Sequence, residues 1–234
     1  MADRNLRGMT ATGMNTASKG GGPTHPTWDA LRAMPVDEVR RRAAIVADFT
    51  GVEPMRVDTA ERLAWHDGGG QSTVWYFLPD GRILLLTFDH ESPLNLYAEG
   101  TYADQQALFD GVPADLRALV QDRPENYESL NIVDTTTGAT IHYAGGVFWF
   151  DGTHWHIADG LLTHCARESL DLFIESGLDY CLDEYFFDRP DFTAETVVGH
   201  RRSEGRYEDE HEDAESEELA TLTKAFDRHP RAHH

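Results

Sequence analysis

The sequence predicts an α+β fold: a largely antiparallel sheet built from hairpins, with helices packed on one face. Three observations carry this. Residues 72–78 and 82–88 are separated by Pro79-Asp80-Gly81, and residues 147–150 and 154–157 by Asp151-Gly152. Proline presets the first turn dihedral and glycine accepts a positive φ, so both read as hairpins. The flanking segments are rich in β-branched and aromatic residues, which suit a pleated, half-buried surface. Helix-spaced apolar residues stand outside the hairpins, a pattern of antiparallel pairing with helices laid against the sheet.

The elements follow in order. Thr27 caps a helix carrying Trp28, Leu31 and Met34; after a break near Pro35, Val39, Ala43 and Val46 keep helical spacing until Gly51 and Pro54. Arg40, Arg41 and Arg42 fall on the solvated face of this second helix. Residues 56–65 alternate loosely and read as a strand, and glycines 68–70 as a turn. A short strand is predicted over 94–97, then helices over 102–109 and 113–120, the latter with proline near its first turn. Residues 130–133 and 140–143 read as strands joined by Thr135-Thr136-Thr137-Gly138. Asp159-Gly160 leads into a helix over 161–174 with Gly177 at its C-cap. A helix or turn over 178–187 stops at Arg189-Pro190, and residues 195–198 read as an edge strand.

The 234 residues are 40% hydrophobic and 10% aromatic, enough for a packed core in one domain over 27–200. Residues 1–26, rich in Gly, Thr and Ser without periodicity, read as a disordered leader. Residues 201–234 read as an acidic, mostly disordered tail. Eight of the eleven residues 208–218 are acidic, although Leu219, Leu222 and Phe226 are helix-spaced.

The net charge is −21, from 41 acidic and 20 basic residues, and residues 27–200 alone hold 30 acidic against 11 basic. The acidity therefore belongs to the folded domain. Such a surface is repelled by nucleic-acid phosphates and anionic membranes, and suits a basic protein partner. No apolar run approaches the roughly 20 residues of a membrane-spanning helix, and no secretory signal is recognisable. With only Cys165 and Cys181, the expected location is cytoplasmic with reduced thiols. Phosphate-binding, dinucleotide and nucleophile-elbow patterns are absent, so no cofactor is expected.

Three constellations bear chemistry. His154 and His156 share one face if they lie in a strand, and His164 follows within reach; together they are candidate metal ligands, with a metal-binding or hydrolase function as the alternative they imply. Asp89-His90-Glu91 ends a strand, where a carboxylate can orient an imidazole. Residues 179–191 interleave carboxylates and aromatics, which suits anchoring and steering at a basic surface. The candidate partner-binding residues are Asp89, Glu91, Trp149, Asp151, Trp155, Asp183 and Glu184. A globular domain without ligand is the remaining reading.

The order of sheet and helices over 27–198, the strand Gly146-Val147-Phe148-Trp149-Phe150-Asp151-Gly152 and the acid excess resemble immunity proteins of bacterial polymorphic-toxin systems. Those are compact acidic α+β proteins that neutralise basic toxins. The resemblance implies a non-enzymatic cytoplasmic binding protein with a basic partner, and carries no individual site residue onto this chain.

Overall fold

The computed structural model describes residues 23–123, 131–208, 210, 211 and 213–231. Its strands are β1 (Met55–Val57), β2 (Ala60–His66), β3 (Gln71–Phe77), β4 (Ile83–Asp89), β5 (Asn131–Val133), β6 (Thr140–His142), β7 (Gly146–Phe150) and β8 (Trp155–Ile157). Six form one antiparallel sheet in the order β1-β2-β3-β4-β7-β8, and β5 pairs with β6 in a small second sheet. The helices are α1 (Pro26–Ala33), α2 (Val36–Phe49), α3 (Leu96–Glu99), α4 (Tyr102–Leu108), α5 (Ala114–Arg117), α6 (Asp159–Glu168), α7 (Leu172–Glu175), α8 (Leu178–Asp183), α9 (Ala194–Ser203) and α10 (Ala214–Arg228). No helix among the described residues is long and apolar enough to cross a membrane.

The central hairpin follows from its turn. Leu78 N–H donates to Arg82 O, Asp80 accepts from Arg82 N–H, and Gly81 takes φ +86°. This sets Phe77 opposite Ile83 and Trp75 opposite Leu85. Paired side chains share a face, so Leu63, Trp75, Leu85 and Phe148 form one row. Trp75 is fully buried and meets Trp155, Tyr185 and Phe187 edge-on. Trp28 of α1 closes over Phe148, Trp155 and Phe173. The other parity, with Tyr76, Leu84, Leu86 and Val147, is equally buried. There the excursion between β4 and β7 lies against the sheet, as the 4.2 Å contact of the Phe88 and Tyr143 rings shows.

Arg42, expected on a solvated face with Arg40 and Arg41, is instead buried and ties α2 to the chain beyond α8. Its buried guanidinium donates to the carbonyls of Tyr185, Phe186 and Arg189, and its Nε to Glu38. Burial pushes its pKa down, against the Glu38 pairing.

The structure corrects further expectations. The first helix starts at Pro26 with His25 at its N-cap and no side-chain cap, so Thr27, expected to cap it, lies inside the helix and donates its hydroxyl to Asp179. Residues 96–99 form α3, where a strand was expected over 94–97. Residues 195–198 lie in α9: Thr193 and Thr196 exchange capping hydrogen bonds, and Ala194, Val197 and Val198 make a buried helical stripe. The helix expected over 161–174 breaks, because Ser169 turns left-handed at φ +57° and Asp171 caps α7. The tail is not mostly disordered among its described residues. α10 packs on α2 and α9, adding Leu222 and Ala225 to a second core cluster with Ile45, Phe186, Phe192, Val197 and Val198. Residues 1–22 of the expected leader, and the start of the strand expected over 130–133, fall outside the described residues.

Candidate functional site

β2, β3 and β4 end together at a cleft of about 730 Å³. Its wall is built from the sheet face that carries Ala64, Val74 and Phe88, with Tyr143 and Tyr97 closing the side. The Tyr97 and Tyr143 rings meet at a tilt with centroids 4.8 Å apart, so the two rings and Phe88 form a continuous aromatic surface. Burial, with Tyr97 adding to it, pushes the Tyr143 phenol up to about 12, so it stays protonated at neutral pH. Arg62 forms part of the floor, its guanidinium 6.0 Å from the Tyr76 ring.

The mouth is fixed by the loop between β2 and β3. Asp67 accepts hydrogen bonds from the N–H groups of Gly69, Gly70 and Gln71 at 2.7–3.0 Å. Gly70 has φ +118°, and a Cβ there would lie 2.1 Å from the His90 ring. Only glycine lets the two loops approach this closely. Across the mouth, Asp89 accepts from Gln71 Nε2 and Glu91 N–H, both at 3.0 Å. Asn95 holds the next turn through the His90 carbonyl at 2.7 Å.

The surface beside this mouth is acidic and apolar together. Gly177, which opens α8, sits against Asp89, and Ser92 Oγ donates to the Glu175 carbonyl of α7. Ile174 and Tyr180 therefore stand next to the end of β4. Burial raises the Tyr180 pKa, and the charges of Asp67, Glu184 and Asp89 add to the rise. Four large apolar side chains are exposed among the described residues: Tyr97, Val133, Ile174 and Tyr180. Of these, Tyr97 lines the cleft, and Ile174 and Tyr180 stand on the two helices beside the end of β4.

The site gathers only part of the candidate set. Asp89 and Glu91 lie at the mouth. Trp149 and Asp151 lie at the other end of the sheet, on the β7–β8 hairpin: Trp149 stacks on His156 at 4.1 Å, and Asp151 accepts from Thr153 N–H, His154 N–H and His156 Nε2. Those bonds, with His154 N–H foremost, hold the Asp151 carboxyl down at about 2. Trp155 is no surface anchor, since it is buried among Trp28, Trp75 and Phe150. Glu184 is spent on Arg201 at 2.5 Å, and Asp183 is exposed 3.9 Å from His200.

The candidate metal ligands are held apart. His154 lies in the turn before β8, so the shared strand face assumed for it and His156 does not form. His156 is engaged by Asp151, and His164 on α6 accepts from Arg167 at 3.1 Å. Among the described residues, Asp183, His200 and Glu204 bring ligand atoms within 4.8 Å of one another. The Arg189 guanidinium stands 3.0 Å from His200 Nδ1, which makes this an ion-pair network. At Asp89-His90-Glu91, the nearby Ser92 hydroxyl is used on Glu175, and His90 lies 3.8 Å from Glu91. Both cysteines are buried, with burial pushing Cys165 up to about 11 and Cys181 to about 12, so neither is a ready thiolate.

Sequence reasoning missed Asp67, Gly70, Tyr97, Tyr143 and Ile174. An Asp directly before three glycines is a readable loop-closing signal; the others depend on long-range packing. No protein-family model, curated protein or solved structure matches the chain.

Proposed function

We propose that the protein is a non-enzymatic binding protein of the immunity type, which masks a basic partner protein at the cleft mouth. The carrying observation is the grouping there of Tyr97, Ile174 and Tyr180 with the carboxylates of Asp89 and Glu91. Carboxylates steer and orient a basic segment, while exposed rings beside an aromatic cleft supply the burial that holds it. The net charge of −21 extends the attraction beyond the site. Soluble, intracellular action on that partner belongs to the same reading.

The test uses the full chain and a labelled peptide in which lysines and arginines flank an apolar pair, with a charge-reversed twin as control. Fluorescence anisotropy should show binding of the basic peptide that weakens as NaCl rises. Glu91→Lys should weaken it about fivefold and Tyr180→Ala about tenfold. Both side chains are exposed, so the fold is kept. Equal binding of the twin, or indifference to both substitutions, would sink the reading.

A further inference from the structure

α10 stands apart from the rest of the core in how it is held. It lies in an apolar groove made by Ile45 and Phe49 of α2, Val197 and Val198 of α9, and Phe192. Yet only Leu222 and Ala225 of the helix are fully buried there. The contact leaves an unfilled space of about 10 Å³ between Ile45, Phe49, Phe192, Val197 and Leu222.

Leu219 and Phe226 add half-buried contacts, the Phe226 ring 4.8 Å from that of Phe192, and ion pairs add to them. Arg201 bridges Glu184, the residue after α8, and Glu218 of α10, and Tyr207 donates to the same Glu218. Arg202 pairs with Glu215, and Arg228 with Asp48 of α2 at 2.5 Å. Arg41 donates to the His229 carbonyl at 2.8 Å and lies over the Phe226 ring.

We propose that α10 is a releasable strap. Ion pairs latch it over the groove between α2 and α9, and ionic competition frees it and uncovers the groove without unfolding the sheet. The Arg202–Glu215 and Arg228–Asp48 pairs are the solvent-facing part of the latch, their arginines 63% and 60% exposed, so mobile ions screen them most effectively. Arg201, 12% exposed, is the part that resists screening. This inference goes beyond the partner reading and does not use the cleft.

Hydrogen exchange read by mass spectrometry on the full chain tests it. At low salt the amides of α10 should exchange through local opening. In molar NaCl they should exchange about fivefold faster, the effect of two exposed ion pairs, while β3 and β4 keep their protection. The double substitution Arg202→Gln, Arg228→Gln should reproduce the acceleration at low salt and remove most of the salt response. Protection of α10 that tracks β3 and β4 at every salt concentration would overturn the proposal. So would wild-type exchange in the double variant, or loss of its near-ultraviolet circular dichroism, since the helix would then be inseparable from the core.

Discussion

Acidification should destabilise the fold through His142, and the structure sets the window. His142 lies on β6, fully buried, with Nδ1 2.7 Å from the Tyr143 carbonyl. Burial, aided by the nearby Arg62 charge and opposed by the Tyr143 hydrogen bond, lowers its pKa from the ordinary 6.5 to about 4. In the unfolded chain the same imidazole takes up a proton near pH 6.5. Between pH 6.5 and about 4 the unfolded state therefore binds more protons than the folded one. Stability contributed by neutral His142 is complete above pH 6.5 and is lost as pH falls to about 4. Roughly 2.5 pKa units at about 1.4 kcal/mol each amount to about 3.5 kcal/mol, a large share of a domain's net stability. Urea unfolding followed by tryptophan fluorescence, at a series of pH values, measures the loss. The comparison is His142→Leu, which removes this group and keeps the other histidines. Subtracting the two curves should leave a slope confined to pH 4–6.5. A wild-type loss matched at every pH by the leucine variant would refute the reasoning. Because the Tyr143 carbonyl holds His142 and the Tyr143 ring walls the cleft, the same protonation should also weaken the site.

Two substitutions probe the architecture that supports the site. Gly70→Ala should cost about 2–3 kcal/mol by urea denaturation, combining strain at φ +118° with the contact to the His90 ring. Adding His90→Ala should recover only the contact part, so full recovery would show that the backbone angle is unimportant. Arg42→Met should cost about 3 kcal/mol or more, because three carbonyls lose their guanidinium donor inside the core. An unchanged urea midpoint would show that this tie between α2 and the chain after α8 contributes nothing.

The hairpins were legible because their determinants are local. Pro79-Asp80-Gly81 and Asp151-Gly152 fix turn geometry within a few residues, and Gly81 and Gly152 take the positive φ that the turns require. α9 was misread for a related reason. Val197 and Val198 raise strand propensity, but a cap by Thr193 and the helical spacing of Ala194, Val197 and Val198 outweigh it. α10 was obscured by its acid run: the repulsion is visible in the sequence, whereas Arg201 and Arg202, which offset it, are brought to the helix by the fold.

The cleft illustrates the same limit at the level of function. Ala64, Val74 and Phe88 share a face only because of the registers of β2, β3 and β4, and Tyr143 reaches Phe88 from beyond β6. Asp89 and Glu91 could be picked from the sequence because a strand end is a local feature. Trp149 and Asp151 looked equivalent to them, yet they belong to a self-satisfied hairpin: the ring is covered by His156 and the carboxylate by three donors. A carboxylate already holding three hydrogen bonds gives up that satisfaction to meet a partner, whereas the exposed Glu91 side chain does not. Asp151→Asn should accordingly leave basic-peptide affinity within about twofold of wild type, where Glu91→Lys weakens it. The reverse ranking in the anisotropy assay would move the proposed interface to the β7–β8 hairpin.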